Sequence, residues 1–283
     1  MATGDEGEWQ AALEGFTKES FEADGKRRDV YRMGVGPAVI VISEIPGITP
    51  RVAEFGRRVA AAGCTAVLPS LFGEPGRPPT GVYALRSIGP ACISRQFSSF
   101  ALKKTSPVTV WLRALCAEEH ERCGGPGVGV VGMCFTGGFA LAMMVDDVVL
   151  APVLSQPSLP FPLSRKYKAD IGISDADLAR VKERTAAGAC LLGLRFTNDP
   201  FCFEERFETL RRELGDAFIA VEIDSAPGNP YGHPKNAHSV LTEHLVDQEG
   251  SPTRAALDQT LSFFRERLGV GSGPGPRPDR MGD

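Results

Sequence analysis

Short runs of Val, Ile and Leu recur along the chain, and a segment of helical periodicity separates most neighbours. The runs are 37–44 (PAVIVISE), 64–69 (CTAVLP), 128–133 (VGVVGM), 148–154 (VVLAPVL), 189–196 (ACLLGLRF) and 217–224 (AFIAVEID). They are apolar almost throughout instead of alternating with polar residues, as strands covered on both faces are. Three intervening helices announce their starts with a hydroxyl residue followed by proline, at Thr49-Pro50, Ser106-Pro107 and Ser251-Pro252. The hydroxyl caps the first free amides, and proline suits the first helical position because it lacks one. Val52, Phe55 and Val59 then fall on one face, as do Val108, Leu112 and Leu115, and later Leu257, Leu261, Phe264 and Leu268. Further helices are predicted at 136–145, 175–184 and 200–214. Strands separated by single helices imply a mostly parallel sheet with helices on both faces. One α/β domain is expected over 21–270, with a flexible segment at 1–20 and a disordered Gly/Pro-rich tail at 271–283.

Composition narrows the function. The formal net charge of -4 offers no electrostatic footprint for nucleic acid or an acidic membrane surface. No apolar stretch reaches the length of a membrane span, and the acidic start MATGDEGEWQ lacks the basic and apolar regions of a secretory signal. A cytoplasmic location is the resulting expectation. Seven cysteines, at 64, 92, 116, 123, 134, 190 and 202, form no CxxC pair, which argues against a disulfide framework or a structural zinc site. Most should be small buried residues.

Cys134 differs. It ends the run 128–133 and precedes two glycines and a second apolar segment, in GVGVVGMCFTGGFALAMM at 127–144. In parallel sheets, chemistry gathers where strands end and helices begin. The pattern approximates the nucleophile elbow Gly-x-Ser-x-Gly, with cysteine for serine and Thr136 where the second glycine belongs. A following helix would favour a thiolate, and the Phe135 amide would face an oxyanion. The bland alternative is a packed core thiol beside glycines that merely permit close approach. The rest of the chain weighs against it, because an elbow nucleophile is followed by an acid and then a histidine on later loops. Asp199 follows the run 189–196, where it can also cap a helix before Pro200. Histidines 233 and 238 share the loop after 217–224, and spacing alone does not separate them. His120 and His244 read as solvated.

At these residues the chain resembles the dienelactone hydrolase family, a cysteine-dependent branch of the α/β-hydrolase fold. The matching pieces are VIVISEIPGI, TAVLPSLFGEPG, VVGMCFTGGFAL, FTNDPF and AHSVL. The resemblance implies Cys134 as nucleophile, Asp199 as orienting acid and His238 as base, since the histidine of the family precedes a small hydroxyl residue and an apolar one. It implies that Glu44 takes the thiol proton, that the amides of Ile45 and Phe135 hold an oxyanion, and that Arg95 binds a substrate carboxylate. It implies a small ester or lactone substrate, no organic cofactor and no metal, and says nothing of oligomeric state. Two departures stand out: Thr136 in the elbow, and Thr242 and Glu243 where a second arginine of the family belongs, with Arg165 in the insertion 155–170 as a replacement cation. Two other classes compete, a non-catalytic ligand-binding module on a hydrolase scaffold and a thiol redox protein using Cys134 with Cys202 as resolving thiol.

Overall fold

The computed structural model describes residues 9–80, 106–158 and 165–271. Among these, eight strands form one sheet in the order β1-β2-β4-β3-β5-β6-β7-β8. They are β1 (Thr17–Ala23), β2 (Lys26–Met33), β3 (Ala38–Ile42), β4 (Thr65–Pro69), β5 (Val128–Met133), β6 (Val149–Ser155), β7 (Leu191–Phe196) and β8 (Phe218–Ile223). From β4 to β8 across the sheet every pairing is parallel, whereas β1 and β2 join antiparallel at one edge. The chain has the mostly parallel α/β sheet expected from its alternating pattern, in the α/β-hydrolase architecture that the resemblance implies.

The helices are α1 (Pro50–Ala61), α2 (Pro107–Cys123), α3 (Gly137–Met143), α4 (Arg165–Ala169), α5 (Asp175–Ala186), α6 (Glu204–Leu214) and α7 (Pro252–Arg267). Thr49 and Ser106 accept hydrogen bonds from the amides of Val52 and Thr109, so two of the three hydroxyl-proline starts cap as expected. Ser251 bonds to the Thr253 hydroxyl instead. Strand β3 shows why its sequence is apolar at every position. Ile40 and Ile42 enter a core with Trp111, Leu112, Phe139 and Phe207, and Val39 and Val41 enter another with Phe55, Val59 and Phe264. Each face of the sheet is thus sealed by its own helices, α2, α3 and α6 on one side and α1 and α7 on the other.

Residues 17–20, expected to be flexible, instead begin β1. The hairpin they open turns at Asp24-Gly25, both with positive φ (50° and 66°), the backbone that a tight two-residue turn demands. Its signal is masked by charge, since this edge of the sheet faces water and carries the pairs Lys18–Asp29 and Arg27–Glu22. Deeper, Arg32 of β2 binds the fully buried Glu119 of α2 and thereby joins the hairpin to the helical layer.

Strand order decides where a site can form. From β3 the chain crosses to β4 on one side, then returns to place β5 on the other. Loops leaving the carboxyl ends of β3 and β5 therefore diverge, and the crevice between them is where open α/β sheets bind ligands.

Candidate active site

Glu44 and Cys134 stand at this crevice. In the parallel register Ile42 pairs with Gly132, so each residue lies two positions beyond a paired residue on adjacent strands. Cys134 has a φ of +56°, a left-handed backbone that a side chain other than Gly rarely adopts, and it opens a single 3-10 turn, Cys134–Thr136, before α3. Such strain at the end of a strand swings the side chain out of the sheet.

Neighbouring residues make the bend feasible. A Cβ on Gly132 would lie 2.1 Å from the Thr136 carbonyl oxygen, and one on Gly137 would lie 2.8 Å from the Pro157 backbone. Thr136, the departure from the elbow pattern, is fully buried and points back into the turn. Its hydroxyl accepts the Met133 amide at 2.8 Å, while its proton faces the carbonyls of Ile42 and Met133, each at 2.9 Å. A side chain where the pattern has glycine thus fastens the bend to β3.

The acid and the histidine meet as their order along the chain predicts. His238 Nδ1 lies 2.7 and 2.9 Å from the two carboxylate oxygens of Asp199. Asp199 is buried, and its Oδ1 also accepts the amides of Phe201 and Cys202 at 2.8 and 3.1 Å. It therefore caps a turn and not the helix start expected at Pro200, because α6 begins only at Glu204 behind Phe203. His238 Nε2 is buried without a hydrogen-bond partner. A ring nitrogen of His238, the Cys134 sulfur and a Glu44 carboxylate oxygen all lie within 4.8 Å of one another. Burial pulls the His238 pKa down, but the neighbouring Cys134 sulfur and the Asp199 carboxylate outweigh it and leave the imidazole well above its ordinary value.

His233, the competitor on the same loop, is buried edge-on against Phe196 with ring centroids 5.1 Å apart, and burial lowers its pKa. His244 is not solvated, contrary to expectation. It is half-buried, and its Nδ1 accepts the amides of His238 and Ser239 at 3.3 and 3.1 Å. Burial, with the nearby charge of His238, lowers its pKa and so favours the neutral ring that can accept them. His244 thus holds the backbone of the residue that pairs with Asp199. Nothing in the spacing of HSVLTEH announces this, because the contact closes a loop rather than a helical turn.

Glu44 is 6% exposed and surrounded by donors. Its Oε1 accepts the Thr242 hydroxyl at 2.6 Å, and its Oε2 accepts the Ser239 hydroxyl at 2.7 Å and the Gln156 amide at 3.4 Å. Gln156, absent from the sequence expectations, is fully buried with φ of +38°. Its Oε1 accepts the Val240 amide at 3.3 Å, so one side chain spans β6, Glu44 and the histidine loop. Ser158 follows, its Oγ 3.0 Å from the Cys134 sulfur and its amide donating to the Cys134 carbonyl at 3.0 Å. Buried Arg206 of α6 anchors this segment through the carbonyls of Pro157, Tyr167 and Asp170. Burial lowers its pKa despite the nearby carboxylates of Asp170 and Asp199.

The remaining expectations fare differently. Ile45 follows Glu44 beyond the end of β3, and Phe135 follows Cys134 in the turn after β5. Arg95 lies outside the described residues, and Arg165 opens α4. Cys202 is fully buried, with its thiol pushed up by that burial, and offers no accessible resolving thiol. No helix among the described residues is long and apolar enough to cross a membrane.

The model of the dienelactone hydrolase family matches residues 30–268. The chain belongs to that family. It is accordingly a hydrolase-family protein of α/β-hydrolase fold. Among solved structures it is similar to a Klebsiella pneumoniae protein assigned as a dienelactone hydrolase, with 17% identity, TM-score 0.61 and coverage of 89% of this chain and 98% of that one. A dienelactone hydrolase-like promiscuous phosphotriesterase from metagenomic libraries, P91, gives 16% identity, TM-score 0.60 and the same coverages. The dienelactone hydrolase of Anabaena variabilis gives 14% identity and TM-score 0.56 over 90% of this chain and 99% of that one. At these identities the likeness is one of fold. No curated protein matches the chain in sequence.

Proposed function

We propose that the protein hydrolyses a small ester or lactone by acyl transfer through Cys134, His238 and Asp199. The observation that carries this reading is the His238 ring, bound to Asp199 through Nδ1, with Nε2 buried and unpartnered and the Cys134 sulfur within 4.8 Å of a ring nitrogen. The neighbouring Cys134 sulfur and Asp199 hold the His238 pKa well above its ordinary value, which favours a protonated ring able to act as general acid.

In the first half-reaction the Cys134 thiolate attacks the carbonyl carbon and the carbonyl electrons move to oxygen. The amides of Ile45 and Phe135 stabilise that oxyanion, each such donor contributing about 3 kcal/mol. As the tetrahedral intermediate collapses, the bond to the leaving oxygen breaks and His238 gives its Nε2 proton to it, leaving a thioester on Cys134. His238, held in one tautomer by Asp199, then takes a proton from water, whose hydroxide displaces the thiolate and releases the acid. Glu44 takes the Cys134 proton as substrate binds, beside a His238 that already carries its own, and returns it to the sulfur once the acid has left.

Intact-protein mass spectrometry with p-nitrophenyl acetate and a small panel of lactones tests the reading. A transient acyl adduct on the wild type, absent from Cys134→Ala at unchanged circular dichroism, is expected. Hydrolysis at full rate by Cys134→Ala would end the proposal.

A further inference from the structure

The same three atoms that serve the proposed chemistry also constitute a donor set for a soft divalent cation. We propose that Glu44, Cys134 and His238 form a reversible, inhibitory binding site for Zn2+. That occupancy silences the enzyme rests on the acyl-transfer reading, but the binding itself does not.

The argument begins with the ligand atoms. A thiolate, an imidazole nitrogen and a carboxylate oxygen are the three ligand types that zinc takes, and three protein ligands with a fourth position left open is a common zinc arrangement. The three atoms stand within 4.8 Å of one another. In a tetrahedral site with Zn–S about 2.3 Å and Zn–N about 2.0 Å, ligand atoms stand about 3.5 Å apart, so the set must contract by at most about 1 Å. Rotation about the Cys134 side-chain bond supplies a shift of that size.

A second, independent observation is the orphaned His238 Nε2, buried and without a partner in a ring otherwise fully committed. Metal-binding histidines typically present one nitrogen to the ion and donate the other N–H to a carboxylate, which fixes the ring and strengthens the ligand. Asp199 already holds Nδ1 in that way. Glu44 is oriented likewise, by Ser239, Thr242 and Gln156. Both outer supports that a metal centre requires are therefore in place before any ion arrives, and the adjustment left is that of the Cys134 side chain.

Coordination displaces to solvent whatever protons the Cys134 sulfur and the His238 Nε2 carry, and the carboxylate enters unchanged. Zinc so bound occupies the sulfur lone pair and the histidine nitrogen, and neither nucleophile nor base is then free. Calcium and magnesium, which take oxygen ligands, should not compete.

The test titrates ZnCl2 against a chromogenic chelator in the presence of wild-type protein, Cys134→Ser or Glu44→Gln, with circular dichroism as a folding check. One tight equivalent is expected for the wild type, at least tenfold weaker binding for each variant, and protection of Cys134 from iodoacetamide that EDTA reverses. Cys134→Ser preserves the side-chain volume, so it reports even if Glu44→Gln disturbs the fold. Binding by Cys134→Ser within threefold of wild type, or alkylation of Cys134 unaffected by zinc, would overturn the site, and equal binding by folded Glu44→Gln would remove the carboxylate from it. The acyl-adduct experiment without zinc is a separate readout. An adduct without zinc binding defeats only this inference, and zinc binding without any adduct defeats only the hydrolytic one.

Discussion

Replacement of Thr136 by valine isolates what a hydroxyl contributes to the bend at Cys134. Valine has nearly the same shape, so the fully buried cavity stays filled. What disappears is the acceptor for the Met133 amide, 2.8 Å away, and the donor shared by the carbonyls of Ile42 and Met133. Leaving one buried amide without a partner costs about 1–3 kcal/mol, and the carbonyls, which keep other approaches, add little. A loss near 2 kcal/mol corresponds to a fall in Tm of about 4–8 °C for a domain of this size. Because the amide belongs to the residue before the nucleophile, the acylation rate should fall as well. Urea denaturation and stopped-flow acylation with p-nitrophenyl acetate measure the two effects. Thr136→Ser is the control, since it keeps the hydroxyl and loses one methyl, and it should stay within about 1.5 kcal/mol of wild type. If valine matches wild type in denaturation midpoint, or serine loses as much as valine, the hydroxyl does not fasten the bend.

Two further outcomes follow from the histidine loop. Asp199→Asn should lower kcat by about 100-fold or more, since it removes the carboxylate that fixes the ring tautomer; steady-state rates within threefold of wild type would contradict that role. His244→Asn keeps an acceptor for the amides of His238 and Ser239 but cannot titrate. The folded pKa of His244 is lowered by burial, so below the unfolded value of about 6.5 the unfolded chain takes up more protons and stability falls as pH falls. The asparagine variant should therefore keep near wild-type activity at pH 7.5 and lose less Tm between pH 7 and pH 5. Parallel Tm curves for the two proteins would refute the assignment.

The α/β alternation was legible because each strand and helix is a local pattern. Ile40 and Val41 are apolar for reasons that their own neighbours reveal, and Thr49 and Ser106 mark helix starts within four residues. The order of Cys134, Asp199 and His238 was legible too, as each follows a strand whose carboxyl end must lie on one edge of a parallel sheet. The β1–β2 hairpin was missed because an edge strand facing water carries charges in place of the apolar runs that mark buried strands. Its Asp24-Gly25 turn was the one available signal.

Chain order left His233 and His238 equal and the family resemblance favoured His238; the tertiary structure gives the ring nitrogen of that one to Asp199 and packs the other on Phe196. Glu44 acquired its hydroxyl donors from Ser239 and Thr242 in the same way, across a sequence distance of 195 and 198 residues. The support from Gln156 and His244 likewise arises from chain segments brought together at one end of the sheet. Local periodicity and turn chemistry act over a few residues and are written in the sequence as pattern. Hydrogen bonds between loops depend on strand register and order, which exist only once the whole sheet has assembled.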